Sequence, residues 1–174
     1  MSLFLLWIVG VVFADSPPLG FVDLQKKIPT IQIQMGYHHS DNFTGAPLPG
    51  YGTETAWLTE EAANALVLVQ NDLEKQGLGL LIYDAYRPKR ASKAMVAWAK
   101  RKKQLHLFKQ GYIAEYSGHN YGHTVDLTIL DLKTGIPLDM GGDWDLFDVV
   151  SHIKNGKTPQ VKKNRERLQV VMKK

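Results

Sequence analysis

Short apolar runs alternate with amphipathic segments along the chain, and this pattern predicts a mixture of strands and helices. Ile31 to Met35 alternates apolar and polar residues with a period of two, which is typical of a half-buried strand. Leu78 to Tyr83 and Val125 to Leu130 are short apolar runs that predict two more strands. Between the first two strands, the polar and glycine-rich stretch from Gly36 to Thr55 predicts a long loop.

Three segments have the periodicity of helices. Thr59 is suited to cap a helix whose apolar residues recur every three to four positions, and Gly77 can end it. A second helix is predicted from Ala91 to about Phe108, with Lys100–Lys103 on its polar face, and a third from Asn164 to Lys174. Because the elements come in mixed order without a βαβ rhythm, we predict a single α+β domain, a mainly antiparallel sheet with flanking helices.

The composition fits one folded domain and removes several kinds of site. The 174 residues are 44% apolar and 22% charged, which is enough for one hydrophobic core. Cysteine is absent, so thiolate metal sites, cysteine nucleophiles and disulfides are excluded. Any metal ion must therefore be bound by histidines and carboxylates.

The net charge of +4 is concentrated at the end of the chain. Residues 161–174 carry six Lys or Arg and one Glu, a net charge of +5, so the other 160 residues sum to −1. A basic run on a helix is usually a solvated face, and no aromatic residues interleave this one. We therefore expect neither a nucleic-acid partner nor a membrane contact at this helix.

The first residues have the composition of a targeting segment. Leu3–Ala14 is an unbroken apolar run of twelve residues, too short to span a bilayer, and a polar, proline-rich stretch follows it. Val12 and Ala14 provide the small residues that precede a cleavage site. We predict a signal peptide at 1–14 and a domain at 15–174, exported to the periplasm with no membrane span after cleavage. The alternative is a buried N-terminal strand or helix.

Candidate chemistry concentrates in the segment SGHNYGHTVD, from Ser117 to Asp126. His119 lies in a predicted loop, Gly122 permits a tight turn, and Asp126 begins a predicted strand. An imidazole and a carboxylate separated by such a turn can converge on one divalent ion. Zinc suits these donors because a catalytic zinc takes three protein ligands and leaves one position for water, whose pKa it lowers to about 7. The alternative is a structural histidine beside a solvated turn aspartate.

The pattern S-x-H-x-x-G-x-x-x-D resembles the zinc-binding signature of the D-alanyl-D-alanine dipeptidases and of related D,D-carboxypeptidases and peptidoglycan endopeptidases. Tyr83–Pro88 (YDAYRP) is similar to the family segment that carries an essential arginine. Asp41–Gly45 (DNFTG) resembles a loop of the dipeptidase branch, and segments between Asp139 and His152 continue the same order. The resemblance covers about residues 21–174.

This resemblance implies the role of each matching residue. His119 and Asp126 would bind one zinc ion, and Arg87 would stabilise the oxyanion as hydroxide attacks the dipeptide carbonyl. Ser117 and Asp139 would hold the ammonium end of a small D-amino-acid dipeptide. The implied function is zinc-dependent hydrolysis of D-alanyl-D-alanine, a cell-wall precursor or turnover product. A D,D-carboxypeptidase, an endopeptidase and a catalytically inactive peptidoglycan-binding module remain as alternatives.

The resemblance also implies two groups that the sequence does not contain. In the family, the third zinc ligand and the general base come from an E-x-W-H motif on a strand near the C-terminus, and no such motif occurs here. The closing segment resembles the helix before that strand, so we expect a domain that lacks its C-terminal strand and, with it, groups that the family needs for activity. Glu115 is an alternative base. The remaining histidines are expected to be structural, namely His38, His39, His106, His123 and His152.

Overall fold

The computed structural model describes residues 19–173. This part of the chain contains five strands in two small sheets and five α-helices, joined by loops. The strands are β1 (Phe21–Asp23), β2 (Gln32–Ile33), β3 (Trp57–Thr59), β4 (Leu78–Asp84) and β5 (Asp126–Asp131). The helices are α1 (Leu24–Lys27), α2 (Glu60–Glu74), α3 (Lys89–Arg101), α4 (His106–Lys109) and α5 (Pro159–Val171). The predicted α+β class is confirmed.

The sheet that carries the candidate site has β4 at its centre. β2 lies parallel to β4, with Gln32 beside Leu81, and β5 lies antiparallel to it, with Ile129 beside Leu80. β1 and β3 form a separate antiparallel pair, so two of the three described ladders are antiparallel. β4 is buried along nearly its whole length, as its continuous apolar sequence predicts.

Helix α2 packs on this sheet. It begins after Thr59, whose hydroxyl accepts a hydrogen bond from the backbone N–H of Ala62, so the predicted N-cap is confirmed. Gln70 faces the core from the middle of the helix and is 1% exposed. Its side-chain oxygen accepts a hydrogen bond of 2.9 Å from the backbone N–H of Leu80 in β4, and this bond ties helix to strand.

Several boundaries differ from the predicted ones for local reasons. The predicted helix from Ala91 to Phe108 is divided into α3 and α4, because Lys103 adopts a left-handed φ of 59° that no helix can continue through. Helix α5 begins earlier than predicted, since Thr158 caps it and Pro159 occupies its first position. β1 and β3 have three residues each, too few for a periodic pattern to reveal.

Two expectations concern the membrane. The predicted signal peptide, residues 1–14, lies outside the described residues. Between residues 19 and 173, no helix combines the length and the apolar character needed to cross a bilayer.

Candidate active site

The candidate site lies where the end of β4 meets the beginning of β5. The antiparallel register places Asp84, the last residue of β4, beside Asp126, the first residue of β5. Arg87 follows β4 by three residues, and His119 lies in a 3-10 turn that precedes β5. The pairing of two strands therefore brings together residues that are more than 30 positions apart in the chain.

His119 and Asp126 are oriented as two ligands of one ion. The Nε2 atom of His119 lies 3.3 Å from Oδ1 of Asp126. Ligand atoms bound at about 2.0–2.1 Å around a tetrahedral zinc ion are separated by about 3.3–3.4 Å, so the observed spacing fits. The Nδ1 atom of His119 lies 2.8 Å from the carbonyl oxygen of Ala85, to which its N–H donates, and this leaves the Nε2 lone pair for a metal ion.

In the absence of a metal ion, these two side chains favour each other's charged forms. Burial opposes ionisation of both groups. The hydrogen bond between them and the attraction of nearby opposite charges together outweigh burial, so the pKa of His119 is raised and that of Asp126 is lowered. A metal ion bound here would therefore displace a proton from His119.

The serine and glycine of the motif shape the turn that holds His119. The hydroxyl of Ser117 accepts a hydrogen bond from the backbone N–H of His119, and the side chain of Asn120 accepts one from the backbone N–H of Ser117. Gly122 ends the turn with a left-handed φ of 71°. Asn120 also donates to the carbonyl oxygen of Arg87 at 2.7 Å, so the turn is fixed to the segment after β4.

A third acid, Asp84, completes the one group of three metal-compatible side chains among residues 19–173, with ligand atoms within 4.8 Å of one another. Its Oδ1 accepts hydrogen bonds from the hydroxyl of Tyr51 at 2.7 Å and from the backbone N–H of Ala85 at 2.9 Å. Its Oδ2 accepts from Nε of Arg87 at 2.9 Å and pairs with Nη2 at 2.8 Å. Because each oxygen already has two N–H or O–H donors, Asp84 is better suited to orient Arg87 than to bind a metal ion.

Arg87 projects its guanidinium group toward the metal-compatible pair. Its side chain is 11% exposed, and Nη2 lies 3.8 Å from Oδ2 of Asp126. The guanidinium carbon lies 5.1 Å from the centre of the Tyr37 ring, within the range of a cation–π contact. Burial opposes the charge, but the neighbouring groups, Asp84 first among them, together outweigh this effect and raise the pKa of Arg87, so the group stays cationic.

Arg87, His119 and Asp126 form one wall of a cavity of about 1020 Å³. The loop between β5 and α5 forms another wall and contributes Trp144 and Asp145. Leu168, in the last turn of α5, and Met172, just after the helix, belong to an apolar part of the lining. The cavity therefore combines a charged wall with an apolar one, as substrate pockets commonly do.

Asp145 is a residue of the site that sequence reasoning missed. Its Oδ2 accepts a hydrogen bond of 2.8 Å from the buried hydroxyl of Tyr37, and its φ of 64° is left-handed, a conformation that aspartate tolerates. Burial, reinforced by the negative charge of Asp126 and opposed by the Tyr37 hydroxyl, raises the pKa of Asp145 to about 7. The only signal in the sequence is an acid 19 positions after Asp126, which no local pattern marks as functional.

The two predicted substrate-binding residues differ in their surroundings. Ser117 and Asp139 both line the cavity. Asp139 is exposed and accepts a hydrogen bond of 2.8 Å from the backbone N–H of Gly141, so it also forms a turn. The roles of these two residues in substrate binding stay predictions.

Among the described residues, the other histidines lie outside the metal-compatible group. His38 bonds to the carbonyl of Tyr51, and His39 pairs with Glu54. His123 stacks on Tyr121, and His152 bonds to the hydroxyl of Tyr112. His106 is exposed at the start of α4, and Glu115 is also exposed.

Comparison with known proteins extends the likeness to most of the chain. Residues 18–174 match a family, Peptidase M15, that is described as D-ala-D-ala dipeptidase. Proteins named D-alanyl-D-alanine dipeptidase are similar to the chain. One from Enterococcus faecium is 33% identical over 88% of this chain and 83% of its own length. One from Streptomyces coelicolor is 36% identical over 88% of this chain and 82% of its own length. One from Escherichia coli is 33% identical over 90% of this chain and 78% of its own length.

The motif glycine provides a test of how the turn is held. A Cβ atom at Gly122 would overlap the ring of Phe21 in β1, and the left-handed φ adds strain. Gly122→Ala is expected to lower the free energy of unfolding by about 3 kcal/mol, from backbone strain and overpacking together. Urea denaturation measures this change.

Gly135→Ala is the matched control for this substitution. Gly135 has a φ of 70°, nearly the same as Gly122, but open space surrounds its Cβ position. We expect a loss of only about 1 kcal/mol, from backbone strain alone. Equal losses at the two positions would show that the contact with Phe21 contributes nothing.

Proposed function

Because the chain belongs to the D-ala-D-ala dipeptidase family, Peptidase M15, and is a metallopeptidase of that family, we propose that it hydrolyses D-alanyl-D-alanine with one bound zinc ion. The observation that carries the proposal is the 3.3 Å spacing of His119 Nε2 and Asp126 Oδ1 on a cavity wall, with the guanidinium of Arg87 beside them. The relatives that match bear the name of this activity.

In this proposal, His119 and Asp126 hold the ion, since imidazole nitrogen and carboxylate oxygen are donors that suit zinc. A bound zinc ion supplies a water of lowered pKa and polarises the substrate carbonyl. Asp84 does not need to be a ligand, because it holds Arg87 and lies 3.4 Å from the Nδ1 side of His119.

Arg87 acts on the charge that develops during the reaction. As the carbonyl carbon becomes tetrahedral, its oxygen gains negative charge, and a fixed guanidinium beside it stabilises that charge without reorganisation. The two contacts with Asp84 hold Arg87 in place before the substrate arrives. The cation–π contact with Tyr37 restrains one face of the guanidinium.

The free amino group of the dipeptide requires an anion in the cavity. Asp145 lies on the wall formed by the loop between β5 and α5, and the Tyr37 hydroxyl orients its carboxylate. We infer that Asp145 pairs with the substrate ammonium, together with the predicted contacts from Ser117 and Asp139. An approaching ammonium group would itself favour the ionised form of Asp145.

This proposal assigns neither the third zinc ligand nor the general base to a described residue. β5 is an edge strand of the described sheet, and Pro137 already bridges the second half of its edge at Leu130. Its first half, Asp126, Leu127 and Thr128, lines the cavity. A further strand paired with this first half would enter the cavity, as the family resemblance implies for a segment with E-x-W-H. Zinc binding should therefore become tighter when such a segment is present.

Replacement of Arg87 tests the function and its electrostatics together. Arg87→Lys retains a positive charge near Asp84 but loses the planar fork, so we expect turnover of D-alanyl-D-alanine to fall by about 100-fold with unchanged zinc content. Arg101→Lys, at the exposed end of α3, is the control and should leave both quantities unchanged. Steady-state kinetics and metal analysis supply the measurements, and undiminished turnover in Arg87→Lys would contradict the oxyanion role.

Substrate length separates the proposed function from its alternatives. A dipeptidase cleaves free D-alanyl-D-alanine much faster than a longer peptide that ends in the same two residues. The reverse preference would indicate a D,D-carboxypeptidase or an endopeptidase. Binding to cell-wall sacculi without any metal-dependent product would indicate an inactive binding module.

The proposed role of Asp145 predicts a specific change in substrate preference. Asp145→Asn keeps the hydrogen bond to Tyr37 but removes the negative charge, so we expect KM for D-alanyl-D-alanine to rise by about 10- to 100-fold. The N-acetylated dipeptide has no ammonium group, and its kinetics should change little. An equal loss with both substrates would contradict an ammonium contact.

The raised pKa of Asp145 gives the same variant a second signature, in metal-free protein. The folded-state pKa of about 7 exceeds the ordinary value of 3.8, so the ionised carboxylate penalises folding increasingly between these values and constantly above them. Asp145→Asn should match the parent protein in urea denaturation near pH 4 and resist urea better at pH 8. Identical stability at both pH values would show that the site does not disfavour the charge.

Export is the remaining part of the proposal. We propose that residues 1–14 direct the protein to the periplasm, where a dipeptide from cell-wall turnover would be available. After expression in a Gram-negative host, the N-terminus of the periplasmic protein should lie near Asp15. A protein that retains Met1 in the cytoplasmic fraction would contradict this assignment.

A further inference from the structure

The indole ring of Trp144 is closely held beside the proposed metal site, yet the proposed mechanism gives it no role. The ring centroid lies 4.8 Å from that of Tyr37, and it stacks on Tyr83 at 5.6 Å with an interplanar angle of 21°. Gly36 faces the same ring, and a Cβ atom at that position would overlap it. Two aromatic rings and a backbone surface therefore restrict the orientation of the indole.

This orientation directs the indole N–H at Asp126. Nε1 of Trp144 donates a hydrogen bond of 3.4 Å to Oδ2 of Asp126, and Nη2 of Arg87 lies 3.8 Å from the same oxygen. The other oxygen, Oδ1, faces Nε2 of His119. The two oxygens of this carboxylate therefore have different partners. Oδ2 faces N–H groups, and Oδ1 faces a histidine nitrogen.

The loop that carries Trp144 is itself fixed to α5. The guanidinium of Arg165 donates hydrogen bonds of 2.7 Å to three loop carbonyl oxygens, those of Met140, Val150 and His152. Asn164, which is 2% exposed, donates one of 2.8 Å to the carbonyl oxygen of Asp139. These bonds join the loop to one helix on both sides of Trp144, so the position of Trp144 does not depend on its own ring contacts alone.

We propose that Trp144 is a positioning residue for Asp126, whose N–H holds Oδ2 so that Oδ1 alone is turned toward the metal ion. The inference rests on the proposed function, because it presumes that His119 and Asp126 bind the ion. An aspartate carboxylate can rotate and can offer one or both oxygens to a metal. A donor fixed on one oxygen removes that freedom before the ion binds, and the loss of such an outer partner typically weakens metal binding by about 10- to 100-fold.

The test compares two tryptophan-to-phenylalanine substitutions in the full chain. Trp144→Phe keeps an aromatic ring between Tyr37 and Tyr83 but removes the N–H donor. We expect its zinc dissociation constant, measured by competition with a chelator, to rise by about tenfold. The visible absorption spectrum of the cobalt-substituted protein should also change, since it reports how the carboxylate coordinates. Trp98→Phe is the control. Trp98 lies in α3, packs against Phe43 and makes no hydrogen bond to Asp126.

A second replacement separates the N–H group from the size of the ring. The benzothiophene analogue of tryptophan at position 144 has nearly the same shape with sulfur in place of N–H, and it should weaken zinc binding as Trp144→Phe does. Wild-type zinc affinity with this analogue would overturn the inference, and so would an equal loss in Trp98→Phe. A wild-type protein that binds no zinc would overturn the proposed function as well, so the two failures are distinguishable.

Discussion

The site depends on one buried carboxylate, that of Asp84, which four hydrogen-bond donors surround. An uncompensated charge at a position with 0% exposure would be very costly, and loss of one partner of such a pair typically costs about 3–5 kcal/mol. Two of the donors come from Arg87, one from the hydroxyl of Tyr51 and one from the backbone of Ala85. The requirement to satisfy Asp84 therefore fixes the guanidinium, the loop that covers it and the turn after β4 at the same time.

The same requirement explains why a long polar loop can form part of a rigid site. The segment from Gly36 to Thr55 has the composition of a flexible loop, but it buries Tyr37 and Tyr51. The hydroxyl of Tyr51 ends on Asp84, and that of Tyr37 ends on Asp145. Each tyrosine thus connects the loop to an acid of the site, and the loop gains order from the polar groups that it satisfies.

The sequence predicts the parts of this structure that local pattern and a short motif can encode. The cap at Thr59, the apolar strand β4 and the α+β class follow from periodicity and capping, and the motif locates His119 and Asp126 side by side. It does not reveal Asp145 or Trp144, because their relation to the site arises only when the loop between β5 and α5 folds back on Tyr37. The sequence also does not predict the division of the second helix, because hydrophobic periodicity does not depend on the left-handed φ of Lys103.

Three aspartates within one site show how the surroundings of a carboxylate decide what it can do. Asp84 is buried and saturated by donors, so it can orient neighbours but has no lone pair to spare for a metal ion. Asp126 shares its oxygens between a histidine and two N–H donors, and its pKa is lowered despite burial because His119 stabilises the anion. Asp145 has a single described hydrogen-bond donor, the Tyr37 hydroxyl, and burial raises its pKa, so it gains most from an arriving cation. The roles proposed for them, namely orienting group, metal ligand and substrate anchor, therefore differ with donor count and burial, although the side chain is the same in all three cases.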